Sequence, residues 1–219
     1  MNSAAGDIGP GTSHRYREPG AVTLPGKGSR TDFAIVVTLL AFLLGGCVSD
    51  PAAPMTTVSE FDLRRYLGQW HQVAAIPAWF QSDCAARTTA RYALGEDGLV
   101  EVVNACDTAE GSRKQAEARA RFLAYRSDGK LEVTFVEILG FWVWPAAGDY
   151  WIIGLDPEYQ WSVVGTPSRD YAWILARSGT LDLHTLREIG DILRRESYDA
   201  CALVMTTPGR QDRLCDVTG

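Results

Sequence analysis

The sequence predicts an all-β fold: an eight-stranded antiparallel up-and-down β-barrel, with one C-terminal α-helix packed outside it and a short ninth strand at the sheet edge. Three observations lead there. From Gly68 onward, short segments are separated by turn residues at intervals of roughly 10 to 15, the spacing of a strand meander. In "QAEARARFLAY", Ala116, Ala118, Ala120 and Phe122 alternate with Glu117, Arg119 and Arg121, giving one small apolar face and one charged face. The 21 glycines and the 7 Trp, 8 Tyr and 7 Phe suit short strands and tight turns better than helices.

Taken in order, "GQWHQVAAIP" (68–77) is the first strand. "RTTARYAL" and "LVEVVNAC" form a hairpin around the glycine-bracketed turn "GEDG" (95–98). The alternating fourth strand turns at "RSDGK" into "LEVTFVEIL" (131–139), which continues the alternation through Leu131, Val133 and Phe135. "DYWIIGLD", "YQWSVVGT" and "DYAWILAR" complete the eight, joined by the short turns "DPEY" and "PSRD". Eight neighbouring strands without a crossover helix close naturally into a barrel, which removes the unpaired edges of an open sheet. Asp182 caps a helix to about Arg195, with Leu183, Leu186, Ile189 and Leu193 as its apolar stripe against the barrel. "ACALVM" (200–205) is the ninth strand, and the tail beyond it is polar.

The chain divides into a leader with an export signal (1–46), a flexible Pro/Ala/Thr tether (47–58), the barrel domain (59–207) and a C-terminal tail (208–219). Lys27 and Arg30 precede an apolar run of 12 residues, Phe33 to Leu44, too short for a comfortable permanent span and shaped like an export signal. Leu44, Gly45, Gly46 and Cys47 resemble the lipobox of bacterial lipoproteins, which implies cleavage before Cys47 and acylation of its thiol and new amino group. Removing residues 1–46 takes away 4 of 21 basic and 3 of 27 acidic residues and leaves a charge of −7. An acidic body with no basic cluster excludes general nucleic-acid binding.

With Cys47 acylated, Cys84, Cys106, Cys201 and Cys215 remain, and an exporting chain favours pairing them. Three connectivities exist. The favoured one joins Cys84 to Cys106, which a hairpin would place on neighbouring strands, and Cys201 to Cys215, which enclose only a short loop. His14, His71 and His184 are scattered and no CxxC occurs, so neither a metal nor another cofactor is expected.

Gly68, Gln69 and Trp70 opening the first strand, with Arg177 ending the eighth, resemble the lipocalin family. "YWIIGLDPEYQWSVVG" (150–165) is similar to the sixth and seventh strands of that family's bacterial outer-membrane members, and "SRDYAWILAR" (168–177) to their eighth. The resemblance implies that Trp70 plugs one end of the barrel while Arg177 lies across its ring, a contact contributing about 0.5 to 2 kcal/mol. Gly68 would let the backbone turn beneath the ring. One departure stands out: "LGFWVWPAAGD" is longer and richer in tryptophan than the family pattern, placing Phe141, Trp142 and Trp144 at the rim.

Strand parity makes Ala118, Ala120 and Phe122 interior, with Tyr92, Val102, Val133, Phe135, Tyr150 and Trp173 as companions and Asn104 as an inward polar group. Alanine where leucine would fit leaves space for a ligand. Arg87, Arg91 and Arg169 stand near strand ends as candidate rim cations. The resemblance implies a fatty acid or lysophospholipid in this lumen, stored or carried at the bacterial envelope under stress, with Val48 after Cys47 resembling lipoproteins sorted to the outer membrane. Two other functions stay open: an isomerase-type enzyme using a lumen cysteine, and a structural envelope protein whose aromatic rim holds a partner, a second copy of the chain included. No Ser/His/Asp order, carboxylate pair or phosphate loop supports catalysis.

Overall fold

The computed structural model describes residues 54–123, 127–206 and 212–219. The expected leader, export signal, acylation site Cys47 and most of the tether lie outside the described residues.

A four-residue helix, α1 (Leu63–Tyr66), precedes the barrel, capped by the Asp62 carboxylate, which accepts from the Arg64 N–H at 2.9 Å. The strands follow: β1 (Gly68–Ala75), β2 (Ala86–Leu94), β3 (Val100–Asp107), β4 (Arg113–Phe122), β5 (Lys130–Thr134), a small hairpin of β6 (Glu137–Ile138) and β7 (Phe141–Trp142), then β8 (Gly148–Leu155), β9 (Trp161–Gly165) and β10 (Ala172–Ala176). β1 to β5 and β8 to β10 pair in chain order, and β10 returns to β1 with Gln72 opposite Leu175 and Ala75 opposite Trp173, so the sheet closes. A bulge between Gln72 and Ala74 adds local twist at the closure. Helix α2 (Leu183–Arg195) starts at Asp182, whose side chain accepts from the Thr185 N–H, and is followed by β11 (Val204–Met205) on the edge of β1 and by α3 (Leu214–Thr218).

Two cores result. Inside the barrel, Trp70, Tyr92, Val100, Val102, Ala118, Ala120, Leu131, Ile152, Val164 and Leu175 pack together. Outside it, Leu186, Ile189, Ile192 and Leu193 of α2 lie on the outward residues Ile153, Trp161, Val163 and Ile174. Each barrel strand therefore alternates between two buried layers on the helix side, which explains why β9 is buried at every position. The helix lies where the sequence placed it, but Leu183, at its first position, is exposed, and Ile192 takes its part in the stripe.

Three expectations need correction. The fifth strand stops at Thr134 instead of running to Leu139: the Thr134 hydroxyl donates to the Val143 carbonyl at 3.0 Å and accepts from the Val136 N–H at 3.2 Å, turning the chain into the β6–β7 hairpin. The ninth strand is only Val204–Met205, because Asp199 caps a 3-10 turn over Ala200–Ala202. The tail is not merely polar. Leu214 is fully buried in the outer core, and Cys215 is bonded to Cys201 with Cα atoms 4.9 Å apart.

Candidate functional site

The lumen has a closed end and a mouth, and the closed end is built from the residues before β1. Trp70 is fully buried, its indole N–H donating to the Tyr66 carbonyl at 2.8 Å. The Arg177 guanidinium carbon lies 3.8 Å from the centre of the Trp70 ring. Its Nη2 donates to the carbonyls of Arg65 and Leu67 at 2.8 and 2.9 Å, and its Nη1 to that of Gln69 at 2.9 Å. One cation thus satisfies the open carbonyls at the end of α1 while covering the indole face. Gly68 has φ +96°, and a Cβ there would sit 3.3 Å from Arg177 Nη1, so glycine is required by both backbone and space. Burial pulls the Arg177 pKa below its ordinary value.

Above Trp70 lies a hydroxyl cluster that the sequence did not reveal. The Tyr150 hydroxyl is 2.9 Å from that of Tyr66 and 2.8 Å from that of Tyr92, and Tyr66 donates to Ser162 Oγ at 3.2 Å. Ser162 in turn faces the Gly154 carbonyl at 3.5 Å. Each tyrosine has one proton, so the donors run Tyr92 to Tyr150 to Tyr66 to Ser162, and none is left over. The floor offers the lumen an acceptor at Tyr92 and no donor. Burial, the largest cause, raises the Tyr66 pKa to about 12 and pushes those of Tyr92 and Tyr150 well above the ordinary tyrosine value. Tyr66 sits in the charged stretch before the first strand, and its inward course depends on α1. Ser162 was more legible, as a lone hydroxyl sharing the parity of Val164.

Of the residues expected to line the lumen, the structure brings most together at different heights. Tyr92, Val102, Ala118 and Ala120 are buried in the packed lower half, so the alanines make room for the tyrosines and leave no open space beside themselves. Phe122 packs on Phe61, with ring centres 6.0 Å apart, at the closed end. Tyr150, Val133 and Trp173 are half-buried against the same cluster. Asn104 lies between Ala90 and Ala116 in register, on the inward parity, and its Oδ1 has no hydrogen-bond partner. Ala116 is inward by register and exposed, which marks where the lumen opens. Phe135 is a correction: past the end of β5 and 49% exposed, it belongs to the rim connection and does not line the wall.

At the mouth, Trp173 Nε1 donates to Gln81 at 3.3 Å, and Gln81 donates to Gln72 at 3.2 Å. Tyr171 stacks on Trp173 at 6.0 Å and an 18° interplanar angle. The disulfide Cys84–Cys106, Cα atoms 5.4 Å apart, ties the β1–β2 connection to the mouth end of β3. Two of the candidate rim cations are engaged elsewhere and the third points away from the lumen. Arg87 pairs with Asp107, Arg91 is outward opposite Gln69 and Val103, and Arg169 donates to the Glu196 carbonyl at 3.1 Å. Hydrogen bonds from Arg87 and Arg113 hold the Asp107 carboxyl below its usual range. Trp142 and Trp144 do not roof the mouth: they lie on the outer wall, over Arg119 at 5.0 Å and Arg121 at 4.0 Å. Among the described residues no three His, Cys, Asp or Glu side chains converge as a metal site would require.

The family model for a lipocalin-like domain matches residues 61–208. The chain is 34% identical to the temperature-induced lipocalin-1 of Arabidopsis thaliana over 153 residues, covering 69% of this chain and 82% of that protein. It is 32% identical to the outer membrane lipoprotein Blc of Escherichia coli K12 over 173 residues, 78% of this chain and 93% of the relative, and 32% identical to apolipoprotein D of Macaca fascicularis over 171 residues, 75% and 84%. Among solved structures, insecticyanin from the tobacco hornworm Manduca sexta aligns with a TM-score of 0.56 at 20% identity, over 73% of this chain and 88% of that one. The cockroach allergen Per a 4 aligns with a TM-score of 0.55 at 15% identity, over 73% and 96%. A barrel closed beneath an arginine-covered tryptophan, matched in sequence from Phe61 through its last strand, makes this chain a member of the lipocalin family.

Proposed function

We propose that the protein binds an acyl lipid, a fatty acid or lysophospholipid, tail first in the upper lumen, for storage or transport at the bacterial envelope. The observation that carries this reading is the split of the lumen into a packed lower half and an upper half whose inward residues, Ala116, Asn104 and Trp173, keep accessible surface. Each methylene buried there contributes about 0.8 kcal/mol. The tail enters first because the floor has no spare donor for a carboxylate, whereas the Gln81 amide stands at the mouth. Membership of the family and the relatives that are outer membrane lipoproteins support the envelope setting.

Binding is favoured over catalysis by the state of the two cysteines nearest the mouth. Cys84 and Cys106 are joined, which withdraws the thiolate an isomerase of this kind would use.

Native mass spectrometry of the purified chain, followed by extraction and identification of what co-purifies, tests the reading. An acyl lipid near one per chain is expected, and it should be lost in Trp173→Ala and in Ala116→Leu, which fills the open half. Ala118→Leu should act on folding instead. A chain that carries no lipid and takes up no added lysophospholipid overturns the proposal.

A further inference from the structure

Seven of the ten large apolar side chains exposed among the described residues stand at the mouth end, in only two connections. Trp79 and Phe80 lie between β1 and β2, and Phe135, Val136, Ile138, Leu139 and Phe141 between β5 and β8. Trp79 is 79% exposed, Phe141 77% and Leu139 92%. Leu139 and Gly140 form the two-residue turn of the β6–β7 hairpin, with φ of +52° and +82°. Such a turn favours Asn-Gly or Asp-Gly, and a branched apolar side chain at positive φ costs energy. Leu139 bears that cost without burying anything in the described fold. The hairpin is also held in place: Trp142 and Trp144 are stacked on Arg119 and Arg121, and Val143 is bonded to Val136 and Thr134.

We propose that this end of the barrel docks on a lipid bilayer surface, with Leu139, Phe141 and Trp79 entering the interface, so that the lumen opens onto the membrane. Where the chain enters the fold selects this occupant over a second copy or another protein. The Thr56 N–H donates to the Glu196 carboxylate at 2.8 Å, and the Glu196 carbonyl accepts from Arg169 in the β9–β10 connection. Tyr171 of that connection packs on Phe80 at 5.3 Å. The described chain therefore begins at the mouth end. Cys47 is seven residues before Pro54, a reach of at most about 25 Å when extended. A chain acylated at Cys47 would hold the apolar rim close to the bilayer and the closed end away from it. Tryptophan and apolar tips are side chains suited to the interfacial layer. The cations nearest the rim, Lys114, Arg87 and Arg113, are already paired with Asp83 and Asp107, and Arg169 donates to the Glu196 carbonyl, so the contact depends on apolar insertion and not on anionic lipid.

The inference concerns a surface outside the lumen and stands whether or not the lumen holds lipid. The full chain, with its own N-terminal segment, is bound to phosphatidylcholine vesicles containing lipid brominated along the acyl chains, and quenching of tryptophan emission is read. Quenching is expected, with a component lost in Trp79→Phe and retained in Trp173→Phe. The pair Leu139→Asp, Phe141→Asp, at exposed positions that leave the fold intact by circular dichroism, should abolish most of the quenching without releasing the chain from the vesicles. Absence of quenching in the unsubstituted chain, or equal quenching in the double variant, overturns the proposal. Quenching lost only in Trp173→Phe reports brominated lipid inside the lumen and also overturns it. So does a double variant whose only change is conversion of a dimer to a monomer in lipid-free solution.

Discussion

Arg177 shows how much one side chain can fix. It covers the Trp70 ring and accounts for the carbonyls of Arg65, Leu67 and Gln69, so removing it leaves those acceptors open as well as losing a cation–π contact. Arg177→Met should lower stability by roughly 2 to 4 kcal/mol in urea unfolding. Arg177→Lys should recover little, since an ammonium cannot span the three carbonyls. Among the tyrosines, position in the hydroxyl chain sets the cost. Tyr150→Phe interrupts the chain in its middle and should cost about 1 to 3 kcal/mol, whereas Tyr92→Phe removes only a terminal donor and should cost less. Equal losses for the two would contradict the donor order. Trp70, Gly68 and Arg177 were legible because each sits in a short local motif. Tyr66 was not, because nothing local distinguishes a tyrosine that caps a lumen from one ending a charged surface turn.

At the scale of elements, glycine decides how closely the C-terminal segment approaches the barrel. Gly165 faces outward on β9, and a Cβ there would lie 2.4 Å from the Tyr198 hydroxyl, whose single proton is shared between the carbonyls of Thr166 and Tyr171, each at 3.0 Å, and which accepts from the Thr166 N–H at 2.8 Å. Gly165→Ala should therefore cost about 1 to 3 kcal/mol, through displacement of Tyr198 and of the mouth-end connection it holds. In Gly165→Ala combined with Tyr198→Phe the two costs should be less than additive, as measured in a double-mutant cycle. The Cys201–Cys215 bond pins α3 to the 3-10 turn ahead of β11, and replacing both by serine should lower stability by about 2 to 4 kcal/mol, seen as a lower urea midpoint. The alternation of β4 and the apolar stripe of α2 were readable because periodicity is a local property. The end of β5 was not: Leu131, Val133 and Phe135 keep perfect alternation, and only the Thr134–Val143 bond, formed across a nine-residue separation, stops the strand.

For the whole molecule, the packed lower lumen makes stability sensitive to alkali. Tyr66 has an ordinary pKa of 10.0 in the unfolded chain and about 12 when folded, raised by burial. Between those values the unfolded chain releases a proton that the folded chain keeps, so stability is whole below pH 10 and falls as pH rises through the window. Tyr66 alone amounts to roughly 3 kcal/mol, with Tyr92 and Tyr150 adding in the same direction. Urea midpoints at a series of alkaline pH values should decline from pH 10, and in Tyr66→Phe that decline should be shallower. A midpoint constant to pH 12 would mean that the tyrosines are not desolvated as the fold requires.

By itself, the sequence determined which segments pair, which face of each strand turns inward, where helix α2 caps and which motif belongs at the closed end. Each of these follows from neighbours a few residues apart, where side-chain periodicity and turn chemistry act. The tertiary structure alone decided how high the lumen is filled, because Tyr66, Tyr92, Tyr150 and Ser162 come from four separate elements and meet only once the barrel closes. It also decided that Trp142 and Trp144 lie on the outer wall and leave the mouth clear, since the guanidinium groups that hold them sit more than twenty residues earlier in the chain, on a strand whose outward face exists only in the assembled sheet.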